Sequence, residues 1–183
     1  MESLKGHFLV ASPHLLDPNF VRTVVLLMHH NEEGAFGVVL NRPTESTLKE
    51  LWSKVGETSC DSDEQVHLGG PVTGPLMAVH TDESLAEMEI VPGVYFAAQR
   101  DHLEELVKQH EHPFRFFVGH SGWGGGQLED ELKQGAWLTT PATPDFIFYG
   151  SDDLWRKVTQ HIGRTILTSA LRLKGLPQDP SAN

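Results

Sequence analysis

Apolar residues in the first part of the chain form short runs that are separated by polar turns. Residues 6–11 are one run, and residues 21–29 form a second that is rich in β-branched side chains and almost wholly apolar. A continuous apolar run of this length predicts a strand buried on both faces. The polar turn at residues 31–34 leads into a third run at 35–40, and this pattern predicts an antiparallel pair.

Later runs predict further strands at residues 65–68, 76–81 and 94–97, with amphipathic helices between them. Thr47 and Glu50 have the spacing of a capping box, so a helix begins there, and Gly56 is expected to end it. Leu103, Leu106 and Val107 mark a second helix at about residues 100–109. Residues 151–153 are expected to cap a last helix, which Gly163 interrupts.

The glycine-rich segment at residues 114–138 is the stretch around which the remaining elements are predicted to assemble. It predicts a buried strand at 114–118, a turn at 119–126 and a helix from Gln127 that Gly135 ends. A strand at 137–140 and another at 146–149 follow. The turn is expected to pack closely under Trp123 and Trp137.

Hairpin signals outnumber strand–helix–strand signals along the chain, which favours an α+β fold with a mostly antiparallel sheet. No linker is long enough to separate domains. We therefore expect a single domain over residues 1–175, with a flexible tail at 176–183.

The net charge of −11 is unevenly distributed. Fourteen acidic and four basic residues lie between Thr44 and His112, whereas residues 155–175 carry five basic residues and no acidic one. An acidic body opposes binding to phosphates, so nucleic acid is disfavoured as a partner, and the basic segment is the one candidate footprint. No apolar run approaches the length of a membrane span. The lone Cys60 and the absence of a signal-peptide pattern indicate the cytoplasm.

The sequence Gly119-His120-Ser121-Gly122-Trp123 resembles the nucleophile elbow G-x-S-x-G. Its second glycine falls one position early, and Trp123 stands where the tight turn has no room for a side chain. Ser121 is therefore a weak candidate nucleophile. The same loop also fails the phosphate-binding fingerprints, since Gln127 stands where a glycine is needed and no Gly-Lys-Ser/Thr follows.

Eleven histidines raise the question of a metal site. His29 and His30 are adjacent and His110 and His112 are two apart, so neither pair has the spacing of a helical zinc motif. We predict no metal and no cofactor.

Loops at strand ends are the remaining candidates for a binding surface, because such loops often carry sites on a rigid sheet. Arg42 is able to hold a carboxylate or a phosphate, or to pair with an acidic neighbour. The predicted binding residues are Asn41, Arg42, Gly69, Gly70, Gly122, Trp123, Gln127 and Glu129.

Taken together, these motifs resemble the bacterial YqgE/AlgH family. The resemblance is carried by residues 6–11, 20–27, 34–43 (GAFGVVLNRP), 69–72 (GGPV), 122–123, 126–129 (GQLE) and 137–138. His120 and Ser121 depart from the family's usual G-Y-A-G-W. The resemblance implies a cytoplasmic α+β protein with a split, pseudo-barrel sheet, and it implies no established enzyme activity or cofactor. The family is often labelled a transcriptional regulator of alginate synthesis.

The leading hypothesis is a non-enzymatic binding module that acts through another protein or a small ligand, with an indirect regulatory role. The alternatives are a DNA-binding transcriptional regulator that uses residues 155–175 and a serine hydrolase that uses Ser121. The acidic charge and the lack of a helix-turn-helix pattern argue against direct DNA contact.

Overall fold

A curved, mostly antiparallel sheet carries five helices in the part of the chain that the structure describes. The computed structural model describes residues 2–55, 58–150 and 153–173. The strands within those residues are β1 (His7–Ala11), β2 (Val24–Asn31), β3 (Gly34–Val39), β4 (Pro43–Thr47), β5 (Gln65–Leu68), β6 (Val72–His80), β7 (Met88–Val91), β8 (Val94–Ala97), β9 (Phe114–Gly124) and β10 (Trp137–Pro141). The helices are α1 (Leu48–Val55), α2 (Arg100–Lys108), α3 (Gln127–Lys133), α4 (Pro144–Tyr149) and α5 (Leu154–Leu173), and a 3₁₀ turn covers Glu83–Leu85.

The sheet divides at its longest strand, β9. The strand order is β10-β1-β2-β3-β9-β6-β8-β7, and β5 lies beside β9 and β4. The first half of β9 pairs with β6 on one side and, in parallel, with β5 on the other, where His67 lies opposite Phe117. The second half pairs with β3, where Gly37 lies opposite Ser121. The α+β class with a bent, bifurcated sheet is confirmed.

Strand β2 is buried on both faces, as its continuous apolar run predicts. Leu26 faces a core that includes Val158 of α5, whereas Val25 faces a second core that includes Trp123. A third core packs α1 and α2 against β5, β6, β8 and β9. Alternate side chains of one strand therefore belong to different cores.

The predicted β2–β3 hairpin and the predicted start of α1 are confirmed. The two strands pair antiparallel from Val25 and Val39 to the turn at Asn31 and Gly34. At α1 the capping box is reciprocal, because the Thr47 amide donates to Glu50 Oε2 at 3.0 Å and the Glu50 amide donates to Thr47 Oγ1 at 3.2 Å. These bonds satisfy N–H groups that have no partner within the helix.

The glycine-rich turn predicted at residues 119–126 is wrong, because β9 continues to Gly124 and leaves only Gly125 and Gly126 for the turn. Glycine at this place allows the backbones of β3 and β9 to lie close together. A Cβ on Gly34 would lie 2.2 Å from the Trp123 carbonyl oxygen across the β3–β9 pair. Gly126 and Gly135 do have positive φ, at 79° and 74°, and they flank α3 as predicted.

The strand predicted at residues 146–149 is also wrong, because these residues belong to α4. Thr143 Oγ1 accepts the Phe146 amide, and Pro144 occupies the first turn, where its missing N–H has no consequence. Gly163 does not interrupt the last helix, since α5 continues to Leu173. Leu154, Val158 and Ile162 are buried on one face of α5, as predicted.

Two strands were not predicted, β4 and β7. Proline at the first position of β4 is compatible with an edge strand, since it does not donate to the ladder. The predicted helix end at Gly56, the capping residues Ser151 and Asp152, and the tail at 176–183 lie outside the described residues.

Candidate functional site

Asn41 and Arg42 hold a neighbouring loop in place. Asn41 Oδ1 accepts the Val24 amide at 2.9 Å, and Asn41 Nδ2 donates to the Arg22 carbonyl oxygen at 2.8 Å. Arg42 Nη2 donates to the carbonyl oxygen of Val21 instead of pairing with a carboxylate. These bonds fix residues 21–24, where Arg22 has a positive φ of 53°. In this geometry the side chains of Asn41 and Arg42 support the loop before β2.

Gly69 and Gly70 lie against the backbone of β9. The Gly69 carbonyl oxygen accepts the Val39 amide at 2.8 Å and the Ser121 hydroxyl at 3.1 Å. A Cβ on Gly69 would lie 2.3 Å from the Gly119 carbonyl oxygen, so the position has no room for a side chain. Ser121 is fully buried, and its hydroxyl group is bonded to a carbonyl oxygen.

Trp123, Gln127 and Glu129 belong to a second cluster around α3. The indole of Trp123, which is 5% exposed, donates to Glu131 Oε2 at 3.0 Å. Gln127 accepts the Gly124 amide and donates to Glu131 Oε1, both through its side chain. These bonds tie the end of β9 to α3.

Glu129 pairs with the buried ring of His30. Because His30 Nδ1 accepts the Leu4 amide at 2.9 Å, the proton lies on Nε2, which donates to Glu129 Oε1 at 2.7 Å. The glutamate's own main-chain N–H and the His30 ring lower the pKa of Glu129. The pair anchors α3 to β2.

The eight predicted binding residues therefore do not form one cluster. Arg42 and Gly70 line a cavity of about 110 Å³, whereas Asn41 lines a different cavity, of about 210 Å³, beside Arg115, and Gly69 packs against β9. Trp123, Gln127 and Glu129 lie in the cluster around α3, and Gly122 is exposed on β9 opposite Phe36. None of the cavities of about 670, 210 and 110 Å³ is lined by all three strand-end loops.

A larger cleft lies elsewhere, around Arg115. We define the Arg115 cleft as two adjoining cavities, of about 670 and 210 Å³, which share Gln65, His67, Arg115 and Gly150. The larger one is also lined by Asp61, Ser62, Glu64, His110, Glu111, His112, Pro113, Phe114, Phe148 and Tyr149. Its volume is typical of a site for a small organic ligand.

Three segments of the chain position the guanidinium of Arg115: β9, the residue after β3, and α4. It projects from β9, and it donates to the Leu40 carbonyl oxygen at 2.6 Å and to the Ile147 carbonyl oxygen at 2.8 Å. Its Cζ atom lies 5.5 Å from the centre of the Phe117 ring. Two of its five N–H groups are used in this way, which leaves three donors for other partners.

The charge of Arg115 has no close counter-ion within residues 2–55, 58–150 and 153–173, where no carboxylate lies within ion-pairing distance of it. Burial lowers the pKa of Arg115 to about 10, and the charge of Glu64 opposes that change. Loss of solvent raises the pKa of Glu64, and Arg115 opposes that rise in turn. The two groups interact across the cleft without a direct ion pair.

His67 stands beside Arg115 as a neutral ring. Burial, followed by the charge of Arg115, lowers the pKa of His67 to about 4. Its Nδ1 atom is buried and has no hydrogen-bond partner among the described residues. The ring centre lies 5.9 Å from that of Phe117, so Phe117 contacts both His67 and Arg115.

The sequence prediction missed this cleft, although a signal for it exists. Arg115 is a single charged residue in the apolar run Phe114-Arg115-Phe116-Phe117. A charge in an otherwise buried strand is unusual unless it has a partner or a function. On β5, Gln65 and His67 are two residues apart and so face the same side of the sheet.

The described residues show neither a metal-binding cluster nor a membrane-spanning helix. No group of three or more His, Cys, Asp or Glu side chains there is arranged to hold a metal ion. Among the helices described, none combines the length and the hydropathy that crossing a bilayer requires.

Comparison with protein families gives a match over residues 8–167 to a family described as AlgH-like. Similar sequences include a UPF0301 protein of Chlorobium chlorochromatii, 36% identical, with 86% of each chain covered. A UPF0301 protein of Stenotrophomonas maltophilia is 38% identical over 88% of this chain and 90% of its own. The resemblance read from the sequence is confirmed.

Solved structures agree with this result. The solution structure of the AlgH protein from Pseudomonas aeruginosa has a TM-score of 0.71 and 31% identity, covering 96% of this chain and 90% of that one. A crystal structure of a Corynebacterium diphtheriae protein has a TM-score of 0.73 and 25% identity, with 88% of each chain covered. These similarities establish the family and the fold.

Proposed function

This chain belongs to the AlgH-like family, and on that premise we propose that it is a non-enzymatic binding protein whose small ligand occupies the Arg115 cleft. The observation that carries the proposal is the guanidinium of Arg115. It is fixed by two carbonyl oxygens at the wall of a cavity of about 670 Å³, and it lacks a close carboxylate among the described residues. A charge held in this way is prepared for a ligand group.

Ser121 and His67 are the two side chains considered as a nucleophile and a base, and neither is suited to that role. Ser121 is buried, and its hydroxyl donates to the Gly69 carbonyl oxygen instead of to a base that would activate it. With a pKa of about 4, His67 is a weak base at neutral pH. Both facts support a binding protein over an enzyme.

The exposed half of α5 supports a second binding role, contact with another protein. Ile166, Leu167 and Leu171 are 63%, 60% and 42% exposed, and Arg164 and Arg172 lie on the same helix. Exposed apolar side chains close together often mark an interaction surface. A protein partner with an apolar groove and acidic edges would suit this half of the helix. Any regulatory role would then be indirect, in the cytoplasm, and independent of DNA.

The test of the cleft is a ¹H–¹⁵N NMR titration with a fragment library that contains neutral, anionic, cationic and zwitterionic compounds. We expect at least one class to shift the amide signals of Gln65, His67 and Gly150. Arg115→Gln should remove these shifts, whereas Arg42→Gln, which alters the predicted loop site instead, should leave them unchanged. If no class shifts these amides in the wild-type protein, the proposal is rejected.

A further inference from the structure

The Arg115 cleft carries both signs of charge. Asp61, Glu64 and Glu111 contribute carboxylates to the larger cavity, and Arg115 contributes the guanidinium. These residues come from different parts of the chain, since Arg115 lies on β9, Glu64 immediately precedes β5, and Glu111 follows α2. A ligand in this cavity therefore meets a cation at one wall and carboxylates around it.

The single guanidinium limits the number of anionic groups that a ligand can place in the cleft. Arg115 is fixed by the Leu40 and Ile147 carbonyl oxygens, and its planar fork matches one carboxylate. Glu64 and Glu111 in the same cavity would repel a ligand with several negative charges, such as a nucleotide, whereas Asp61 at the edge is 4.0 Å from Lys49 Nζ. The arrangement favours one carboxylate and disfavours a polyanion.

Glu64 limits the other end of the ligand. Glu64 lines the cavity and is exposed, and its carboxylate has no ion pair with a lysine or arginine among the described residues. A cationic group of a ligand placed near Glu64 would form that missing ion pair. An ammonium group therefore suits this side of the cavity.

The walls between the charged groups are partly aromatic. Phe114, Phe148 and Tyr149 line the cavity, and Tyr149 is 70% exposed at its edge. A volume of about 670 Å³ is within the range for ligands larger than a single amino acid. An apolar side chain of the ligand would pack against these rings.

From these observations we infer that the Arg115 cleft binds short peptides through their charged ends, the terminal carboxylate on Arg115 and the terminal ammonium facing Glu64. The inference rests on the proposed function, because it names the ligand class of the same cleft. One cationic and several acidic groups select a peptide whose two ends are unmodified. An aromatic side chain in the middle of the peptide would contact Phe114 and Phe148.

The probe is the tripeptide Ala-Phe-Ala, with its C-terminal amide and its N-acetylated form as matched controls. Binding is measured by calorimetry at neutral pH, and the site is mapped by NMR. We expect the unmodified peptide to bind in the cleft and each modification to weaken binding by about tenfold, the effect of losing one charge-assisted contact. Wild-type protein alone is sufficient for this comparison.

Glu64→Gln then assigns the ammonium contact. This variant should bind the unmodified peptide about as weakly as wild type binds the acetylated one, and acetylation should have no further effect on it. Arg115→Lys keeps the charge but loses the fork, and it should reduce the discrimination between carboxylate and amide. Asp130→Asn, an exposed carboxylate on α3, is the control and should leave every affinity unchanged.

The outcomes separate the inference from the function on which it rests. If fragments of another class shift the cleft amides while the peptide does not, the peptide inference fails and the binding function stands. Equal affinity for the three peptide forms, or peptide-induced shifts outside the cleft, also overturns the inference. If no compound shifts the cleft amides, both fail.

Discussion

Trp123 and Trp137 donate their indole N–H groups to the same carboxylate oxygen, Oε2 of Glu131, at 3.0 and 2.8 Å. Their rings meet edge to face with centres 6.0 Å apart, and both are nearly buried. Glu131 lies on α3, between the two strands that carry the tryptophans. One carboxylate thus joins the end of β9, the helix and β10.

Glu131→Ala should destabilise the protein by about 2 kcal/mol, because it leaves two nearly buried indole N–H groups without their acceptor. Urea denaturation measures the loss of stability, and tryptophan fluorescence reports the changed environment of the rings. Asp130→Ala, next in sequence but exposed and paired only with Lys133, is the control and should change stability by less than about 0.5 kcal/mol. Equal effects of the two substitutions would contradict this role for Glu131.

The sequence predicts elements well where burial and local chemistry agree. The two-sided burial of β2 follows from its apolar run, and the start of α1 follows from Thr47 and Glu50. Prediction from the sequence fails where residues distant in the chain decide which secondary structure forms. Gly119 to Gly124 resemble a turn until β3 is placed beside them, and the apolar residues of α4 resemble a strand until Thr143 and Pro144 are recognised as a helix start.

The candidate site was harder to predict than the fold. Asn41, Arg42 and Gly69 attract attention as polar or glycine residues at strand ends, but their hydrogen-bond partners include main-chain groups of neighbouring strands and of the loop before β2. Arg115 lies among phenylalanines, and this run predicts only a buried strand. Only the parallel pairing of β5 with β9 places His67 beside Arg115, and no local pattern encodes that pairing.

Gly69 and Gly122 form a matched pair for testing close packing. Neither has positive φ, so alanine strains neither backbone. A Cβ at Gly69 would lie 2.3 Å from the Gly119 carbonyl oxygen, whereas one at Gly122 would have its nearest neighbour at 3.9 Å. Gly69→Ala should destabilise the protein by about 3 kcal/mol, and Gly122→Ala should be neutral or slightly stabilising. Thermal unfolding compares them, and similar melting temperatures would refute the packing argument.

His67 should make the protein less stable in acid. Its pKa is about 4 in the folded protein, against an ordinary value of 6.5. Above pH 6.5 the ring is neutral in both states. As the pH falls from 6.5 to 4, the unfolded chain takes up a proton that the folded protein does not, so stability is lost, and the loss from this group ends below pH 4.

The measurement is urea denaturation at several pH values within that window. His67 should contribute about 3 kcal/mol to the loss, and His67→Asn should remove that contribution. His14→Asn, at an exposed position, is the control and should keep the wild-type dependence. An unchanged pH profile in His67→Asn would show that other groups are responsible.

Ser121 should not react as a nucleophile. A serine-directed fluorophosphonate probe is expected to leave the folded protein unlabelled, because the hydroxyl is fully buried and donates to the Gly69 carbonyl oxygen. Ser121→Ala should lower the free energy of unfolding by about 1 kcal/mol and leave ligand binding in the cleft intact. Labelling of the folded wild type that disappears in Ser121→Ala would instead support the hydrolase alternative.

The exposed half of α5 should not bind DNA. Arg164 and Arg172 are exposed there, but neutralising several phosphates needs a larger set of cations, and the net charge of −11 repels the duplex at long range. Fluorescence anisotropy with labelled duplexes at about 50 mM salt, where electrostatic binding is strongest, should show no saturable binding. A strongly salt-dependent affinity that the double variant Arg164→Glu/Arg172→Glu abolishes would restore the DNA-binding alternative.

If instead Ile166→Glu and Leu167→Glu disrupt contact with an acidic protein partner without altering the melting temperature, the helix is a protein-binding surface.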